Sequence, residues 1–357
     1  MERPTFLIIA DGAFGPETSK TANSAIRYFP ERVLAVFDRT AAGRTAQDIL
    51  GFGGAIPVVG SFAEGLALGP QSVLIGIAPA GGRLPPEWRG WLLEAIDRGI
   101  HVWSGLHSHL HDDAELVARA EAKGVTITDA RRPPADLPVS NGLAQDVDAF
   151  VVLSVGSDCN VGKMTAQLQL VDGLNRRGIR TRFAATGQTG ILIEGWGIAV
   201  DAVVADFIGG AAEQLVLEAA KGADVVLVEG QGSLIHPAYA GVTLGLMHGA
   251  MPAAMIMCHQ ASREFIGDYS PGREAWVRIP KLSLLNRIYL DAMRPLRESA
   301  FLGVALNTYD LADAEARAAI RETERDTGLP VTDPVRYGPE PLIEAVTAGY
   351  RAWKSSR

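Results

Sequence analysis

The stretch VVLSVGSDCNVGKMTAQLQL, residues 151–170, decides how the second half of the chain folds. Small and branched residues, apolar but for Ser154, run from Val151 to Val155 and stop at Gly156. A polar loop follows, then Gly162, Lys163 and a helical pattern. A strand that turns through glycines into a helix presents successive backbone N–H groups and a helix N-terminus to an anion, and Lys163 adds a positive charge. The segment therefore reads as a phosphate-binding loop built from Gly156, Ser157, Asp158, Asn160, Val161, Gly162, Lys163, Met164 and Thr165. Its spacing is unusual. The common pattern is G-x4-G-K-[ST], whereas here five residues separate Gly156 from Gly162 and Met164 stands where a hydroxyl is expected. The nearest hydroxyl is one step later, on Thr165. Magnesium takes hard oxygen donors, so a thioether is a poor ligand for it.

This spacing resembles the dethiobiotin-synthetase branch of P-loop proteins, whose loop reads G-T-D-T-x-V-G-K-T. Gly156, Asp158, Val161, Gly162 and Lys163 match, while Cys159 and Met164 depart. In that branch the hydroxyl after the lysine binds magnesium. The resemblance thus implies an intact grip on phosphate with an altered metal arrangement, and a phosphate that is held more readily than transferred. Thiols near helix N-termini have lowered pKa values, yet no histidine lies near Cys159 in sequence. Cys159 reads as a small loop residue.

Outward from the loop, apolar runs alternate with helical patterns along all 357 residues, and ~150 residues per domain predicts two domains. Strands are expected at 5–10, 32–37, 56–59, 72–78, 100–104 and 125–128, with helical patterns between them. After a Pro- and Gly-containing stretch at 129–150 the alternation restarts: strand 150–155, helix 162–176, strand 180–185, helix 210–221, strands 224–228 and 252–257, helix 281–294, strand 301–306 and helix 311–325. Continuous apolar strands alternating with helices mean parallel sheets covered on both faces. The fold class is α/β with two domains, 1–135 and 148–357, joined by a linker at 136–147. Segment 258–280 has weak periodicity and reads as an irregular excursion.

The net charge of −8 argues against a nucleic-acid or anionic-membrane partner. Two cysteines outside any CxxC pair argue against a disulfide framework or a structural zinc site. The five-residue apolar run before Asp11 is too short for a signal peptide, and no window approaches ~20 uninterrupted apolar residues. The expected location is the cytoplasm, and a homo-oligomer is expected because symmetric oligomers are common.

Other stretches supply candidate partners for the loop. In ADVVLVEGQGSLIHP (223–237) an apolar strand ends in Glu229, where P-loop folds place an acid facing the phosphate. Glu229 is a general-base candidate if burial raises its pKa, and His236 follows it. AATGQTGILIEGWG (184–197) brings Gln188 and Thr189 among glycines that let backbone approach a ligand. Asn307 and Asp310 in GVALNTYD form an N-x-x-D at a strand end, a pattern that resembles the base-reading motif of P-loop nucleotide enzymes. Helix capping by Asp310 explains it equally well. Arg336 in TDPVRYGPE and Arg263 suit a carboxylate or phosphate through a bidentate grip. In the first domain Asp38 ends the second strand, where dinucleotide folds place a ribose-binding acid, but the G-x-G-x-x-G fingerprint is incomplete. His107, His109 and His111 in SGLHSHLHDD read as a polar loop in preference to a metal site, and no metal ligands are assigned.

Over essentially its full length the chain resembles one family. The stretches that carry this are SKTANSAIRY, IPVVGSFAEGL, PAGGRLPPEWR, SGLHSHLHDD, GSDCNVGKMT, FAATGQTGILIEGWG, VVADFIGGAAEQLV, LVEGQGSLIHPAY and TDPVRYG. The family is that of the DgcN-type D-glutamate N-acetyltransferases, long of unknown function. The resemblance implies a Rossmann-like parallel-sheet N-terminal domain and a P-loop NTPase-like C-terminal domain. It also implies acetyl transfer from acetyl-CoA to the amine of D-glutamate, in D-amino-acid catabolism. The loop would then grip a phosphate of the coenzyme, with Lys163 and Thr165 holding it. Glu229, His236 and Lys163 are the catalytic candidates, Asn307 joins the cofactor-binding set, and Arg336, Arg263, Gln188 and Thr189 are the substrate-binding candidates. The rival expectation is an ATP- and magnesium-dependent ligase or kinase resembling dethiobiotin synthetase, with Asn307 and Asp310 reading the base.

Overall fold

The computed structural model describes residues 4–77, 82–267, 272–273 and 275–357. Parts of three sequence readings therefore lie outside the described residues: the end of the strand expected at 72–78, positions 79–81 of PAGGRLPPEWR, and positions 268–271 and 274 of the irregular segment. The chain divides into two compact units, 1–133 with 191–195, and 134–190 with 196–357.

The first unit runs β1 (Phe6–Ile9), α1 (Lys20–Tyr28), β2 (Val33–Phe37), α2 (Ala46–Leu50), β3 (Val58–Val59), α3 (Phe62–Ala67), β4 (Ser72–Ile75), α4 (Pro86–Asp97), β5 (His101–Ser104), α5 (Ala114–Lys123) and β6 (Ile127–Asp129). Among the described residues its six strands form one parallel sheet in the order β3-β2-β1-β4-β5-β6, the Rossmann arrangement. β1 and β4 are buried along their whole length, as strands covered on both faces must be. The helix ends follow local chemistry. α4 starts on Pro86, whose missing N–H costs nothing there. The Asp113 side chain caps α5 by accepting from the N–H groups of Glu115 and Leu116.

The second unit runs β7 (Phe150–Gly156), α6 (Lys163–Arg176), β8 (Thr181–Ala184), α7 (Gln188–Glu194), α8 (Ile208–Ala219), β9 (Val225–Val228), α9 (Ala240–Ala250), β10 (Ala254–Gln260), α10 (Leu282–Met293), β11 (Ala300–Asn307), α11 (Asp313–Thr327), β12 (Val331–Thr332) and α12 (Glu340–Ser355). Residues 191–195, which include the last four residues of α7, belong to the first unit. The sheet is again parallel, in the order β12-β11-β10-β7-β9-β8. Successive residues of β7 point to opposite faces and so join two cores. Val151, Leu153 and Val155 cluster with Leu215, Val216, Met247 and Leu285, while Phe150 and Val152 cluster with Leu170, Leu174, Ile343 and Val346. Glycine is required where α6 meets α12, because a Cβ on Gly173 would lie 2.1 Å from Ile343 Cδ1.

Residues 136–147, expected as a linker, pack onto α8. The buried Glu213 carboxylate accepts from the N–H groups of Asn141 and Leu143 and from the Ser140 hydroxyl. This satisfies backbone donors that an irregular segment cannot pair by itself. α9, β12 and α12 were not among the expected elements. Within this sheet β7 lies between β9 and β10, so chain connections depart to both of its sides. In open α/β sheets the crevice at the carboxyl ends of such strands is where ligands bind.

Candidate functional site

The turn after β7 is the phosphate loop expected from sequence. Gly156 ends the strand, and its carbonyl accepts from the Tyr289 hydroxyl at 2.7 Å. Burial pushes that phenol up to about 12, so it stays a donor. Asn160 (φ 55°) and Gly162 (φ 102°) take left-handed conformations that turn the chain into α6. No side chain caps α6, which leaves its first-turn N–H groups to the loop. Lys163 Nζ reaches back and donates to the carbonyls of Asp158 (2.7 Å) and Gly232 (2.9 Å). The ammonium is thereby fixed between the loop and the turn after β9. Met164 is buried and Thr165 only partly so, so the position of the usual magnesium hydroxyl holds a packed thioether.

Asp158 organises the loop from beneath. Its fully buried carboxylate accepts from Arg263 Nη1 (2.8 Å) and Gly267 N (2.7 Å) on one oxygen and from Cys159 N (2.6 Å) on the other. Arg263 also donates to the Cys159 carbonyl at 2.9 Å. The structure thus brings Arg263 to the loop, as a strap on it. His236 is buried with Nε2 3.9 Å from Asp158 Oδ1. Its Nδ1 accepts from Ala238 N at 3.1 Å, so in the neutral ring the proton sits on Nε2, facing Asp158. That matters for one reading of this corner. Asp158, Cys159 and His236 bring ligand atoms within 4.8 Å of one another, but a ring nitrogen carrying its proton cannot coordinate a cation. The cluster fits hydrogen bonding better than a metal, and His236 fits the role of donor better than that of base.

Glu229 follows β9 and is 4% exposed. One carboxylate oxygen accepts from Thr186 N (2.9 Å) and Gly187 N (3.1 Å), and its carbonyl accepts from the Thr186 hydroxyl (2.7 Å). The loop after β8 is thereby latched to the end of β9, and Thr189 is buried and Gln188 half-buried just beyond the latch. The next residue must be glycine, since a Cβ on Gly230 would lie 1.7 Å from the Ser154 carbonyl oxygen.

Three candidates lie elsewhere. β11 and β12 are separated from β7 by β10. Asn307 accepts from Tyr309 N within its own turn, and Asp310 accepts from Gln260 and Ser262 at the end of β10. Arg336 donates to the carbonyls of Thr308 (3.1 Å) and Leu311 (2.8 Å), so it pins the turn after β11. The structure does not bring it together with the phosphate loop.

One residue of the site went unread in the sequence. His259 lies in β10, and its Nδ1 is 2.8 Å from the Ser157 hydroxyl. Burial, and then the Arg263 charge, push this imidazole down to about 4, against a smaller opposing pull from Asp158. It is neutral at neutral pH. The available signal was position alone: a polar residue closing an apolar strand at the carboxyl edge of a parallel sheet.

In the first unit Asp38 is fully buried, accepting from Phe14 N (2.9 Å) and from Thr40 N and Oγ1 (2.7 Å each). Burial raises its carboxyl, but these hydrogen bonds outweigh it and hold the pKa below the ordinary value. It closes turns between strand ends. His111 Nδ1 bonds Asp129 at 2.7 Å, and His107 packs on Gly82. Among the described residues the three histidines form no cluster that could hold a metal, and no helix is long and apolar enough to cross a membrane.

A parallel α/β unit whose central strand opens into a lysine-bearing phosphate loop, carried on one chain with a Rossmann-like unit, defines a two-unit P-loop protein. The chain belongs to the DUF1611 family. The family's domain of unknown function described as a P-loop domain matches residues 138–343, and its Rossmann-like domain matches residues 39–133. A crystal structure of a DUF1611 family protein from Anabaena variabilis is 36% identical, with a TM-score of 0.91 over 97% of this chain and 100% of that one. A relative from Tritonibacter scottomollicae named D-glutamate N-acetyltransferase is 39% identical over 80% of this chain and 84% of its own length. One of the same name from a Pseudoalteromonas species is 34% identical over 79% of this chain and 83% of its own.

Proposed function

We propose that this protein transfers an acetyl group from acetyl-CoA to the amine of D-glutamate, with the phosphate loop gripping a phosphate of the coenzyme. The carrying observation is a cradle with a fixed ammonium, Lys163, and an uncapped helix start, but with buried Met164 in the place of the magnesium-binding hydroxyl. Such a loop suits an anion that is held and not broken. Coenzyme A carries a pyrophosphate and a ribose phosphate of that kind. The names of the relatives support the acyl acceptor.

In this reaction the amine nitrogen attacks the thioester carbonyl, the C–S bond breaks, and the sulfur leaves as the coenzyme thiol. The oxyanion needs donors other than those that grip the coenzyme phosphate, and His236 offers one N–H. The substrate's carboxylates need cations, and Arg263 is the candidate that lies at the loop. The test is thiol release from acetyl-CoA with D-glutamate, L-glutamate or no amino acid, with and without Mg-ATP. Release specific to D-glutamate and indifferent to Mg-ATP is expected. Silence toward thioester together with ATP turnover would overturn the proposal and favour the ligase reading.

A further inference from the structure

We propose that His259 accepts the proton of the attacking amine, with Ser157 as the residue that positions its ring. This rests on the acetyl-transfer reading and adds to it the group that moves the proton.

The placement comes from sheet register. β10 pairs with β7 so that Cys258 lies opposite Gly156. The next residue of each strand, His259 and Ser157, then meets its counterpart at the carboxyl edge, one step into the phosphate loop. The loop is tied there twice, through Ser157 N to the Cys258 carbonyl (3.0 Å) and through Ser157 Oγ to His259 Nδ1 (2.8 Å). A serine hydroxyl donates or accepts by rotating. It can take a hydrogen bond from Nδ1–H, which leaves Nε2 with its lone pair. When Nε2 takes a proton, the same Nδ1–H bond holds the imidazolium in place. Nε2 has no hydrogen-bond partner among the described residues.

The other candidates are worse placed for this step. His236 carries its proton on the nitrogen facing the loop. Glu229 has an oxygen engaged by two backbone N–H groups and is 4% exposed, whereas His259 is partly exposed.

The electrostatics fit a base that gains strength when substrate arrives. The charged groups that face His259 are Arg263, which disfavours its protonated form, and Asp158, which favours it. A substrate carboxylate set against Arg263 cancels that repulsion, so the imidazole becomes more basic in the complex. The step balances: the ammonium releases one proton to solvent and attacks as the neutral amine, the C–N bond forms, the second amine proton passes to His259 Nε2, the C–S bond breaks, and the thiolate recovers that proton from the imidazolium.

The experiment is thiol release measured across pH for wild type, His259→Gln and Ser157→Ala, with coenzyme A affinity measured by calorimetry. For His259→Gln a fall in kcat of ~10²–10⁴ is expected, with the acidic limb of the profile lost and coenzyme affinity kept within about twofold. Ser157→Ala should retain the limb at a displaced pH and lose less. In wild type the limb should lie higher in kcat than in kcat/KM, because the former reports the bound complex. If His259→Gln does not fold, His259→Asn and this wild-type difference carry the test. Wild-type turnover with a His259 variant as fast as wild type, or with its acidic limb intact, would overturn the assignment alone. Absence of any thiol release by wild type would overturn both proposals.

Discussion

Replacing Arg263 by methionine tests whether the loop's shape depends on one charged strap. Asp158 is fully buried, and Arg263, its cation, lies 2.8 Å away with a quarter of its side chain exposed. After Arg263→Met the carboxylate keeps the N–H groups of Cys159 and Gly267 but loses its paired cation, since the Lys163 ammonium bonds the Asp158 carbonyl and not the carboxylate. Removing one partner of a buried pair costs about 3–5 kcal/mol, because the other charge is left desolvated. Partial exposure of the guanidinium places this pair below that range, at about 2–3 kcal/mol, still above the ~0–1 kcal/mol of a surface pair. Methionine keeps most of the apolar stem, so the loss is chiefly electrostatic. Adding Asp158→Asn removes the stranded charge and should restore about half of the loss. Hydrogen exchange of peptides spanning 150–176 reads the opening free energy of this unit by itself. A single variant costing less than about 1 kcal/mol, or a double variant no better than the single, would refute the reasoning.

Gly230→Ala puts a methyl 1.7 Å from the Ser154 carbonyl, backbone against backbone, and strains the Gly230 N–H bond to Ser154 Oγ. Overpacking and the weakened bond together should cost about 2–4 kcal/mol, read by denaturant midpoint, and no loss would mean that the turn shifts freely. Lys163→Met should weaken coenzyme A binding about 10- to 150-fold, the range for a hydrogen bond to a charged group, as measured by calorimetry. His259 has a folded value of about 4 against 6.5 ordinarily, so its contribution is complete above pH 6.5 and is lost as pH falls through about 4. That window spans ~3 kcal/mol, and His259→Gln should flatten the pH dependence of melting across it. Arg336→Gln should loosen the turn after β11 by about 1 kcal/mol, while the amino-acid KM stays within about twofold; a large KM rise would return Arg336 to the substrate.

The phosphate loop and the parallel sheets were legible because each is written locally. A largely apolar run, two glycines and a lysine carry β7 into α6 without reference to anything distant. Elements that lack an internal pattern were not legible. α9 reads AGVTLGLMHGA, which has almost no polar face to set a helical period, and β12 is only two residues long. Glu229, His236 and Lys163 do converge, since each lies near the carboxyl edge of β7 or β9. Arg336 does not, because its suitability for carboxylate says nothing about where its strand lies in the sheet. His259 was missed for the converse reason. Its neighbour Ser157 is 102 residues away, and only the pairing of β10 with β7 brings them together.

That register also bears on what the loop can bind. Both acids beside it are already supplied with donors: Asp158 by Arg263 and two N–H groups, Glu229 by Thr186 and Gly187. A magnesium ion at either acid would compete with those donors, and would do so without a hydroxyl at position 164 to complete its shell. The other groups at the loop are positive or donor-bearing, namely the buried Lys163 ammonium, held on the carbonyls of Asp158 and Gly232, and the first turn of α6. For the coenzyme phosphate proposed above, Lys163 and the helix start would supply the compensating charge, already oriented. A phosphate loop with a buried thioether at position 164 and both nearby acids already bonded to donors is in this way compatible with the proposed coenzyme clamp.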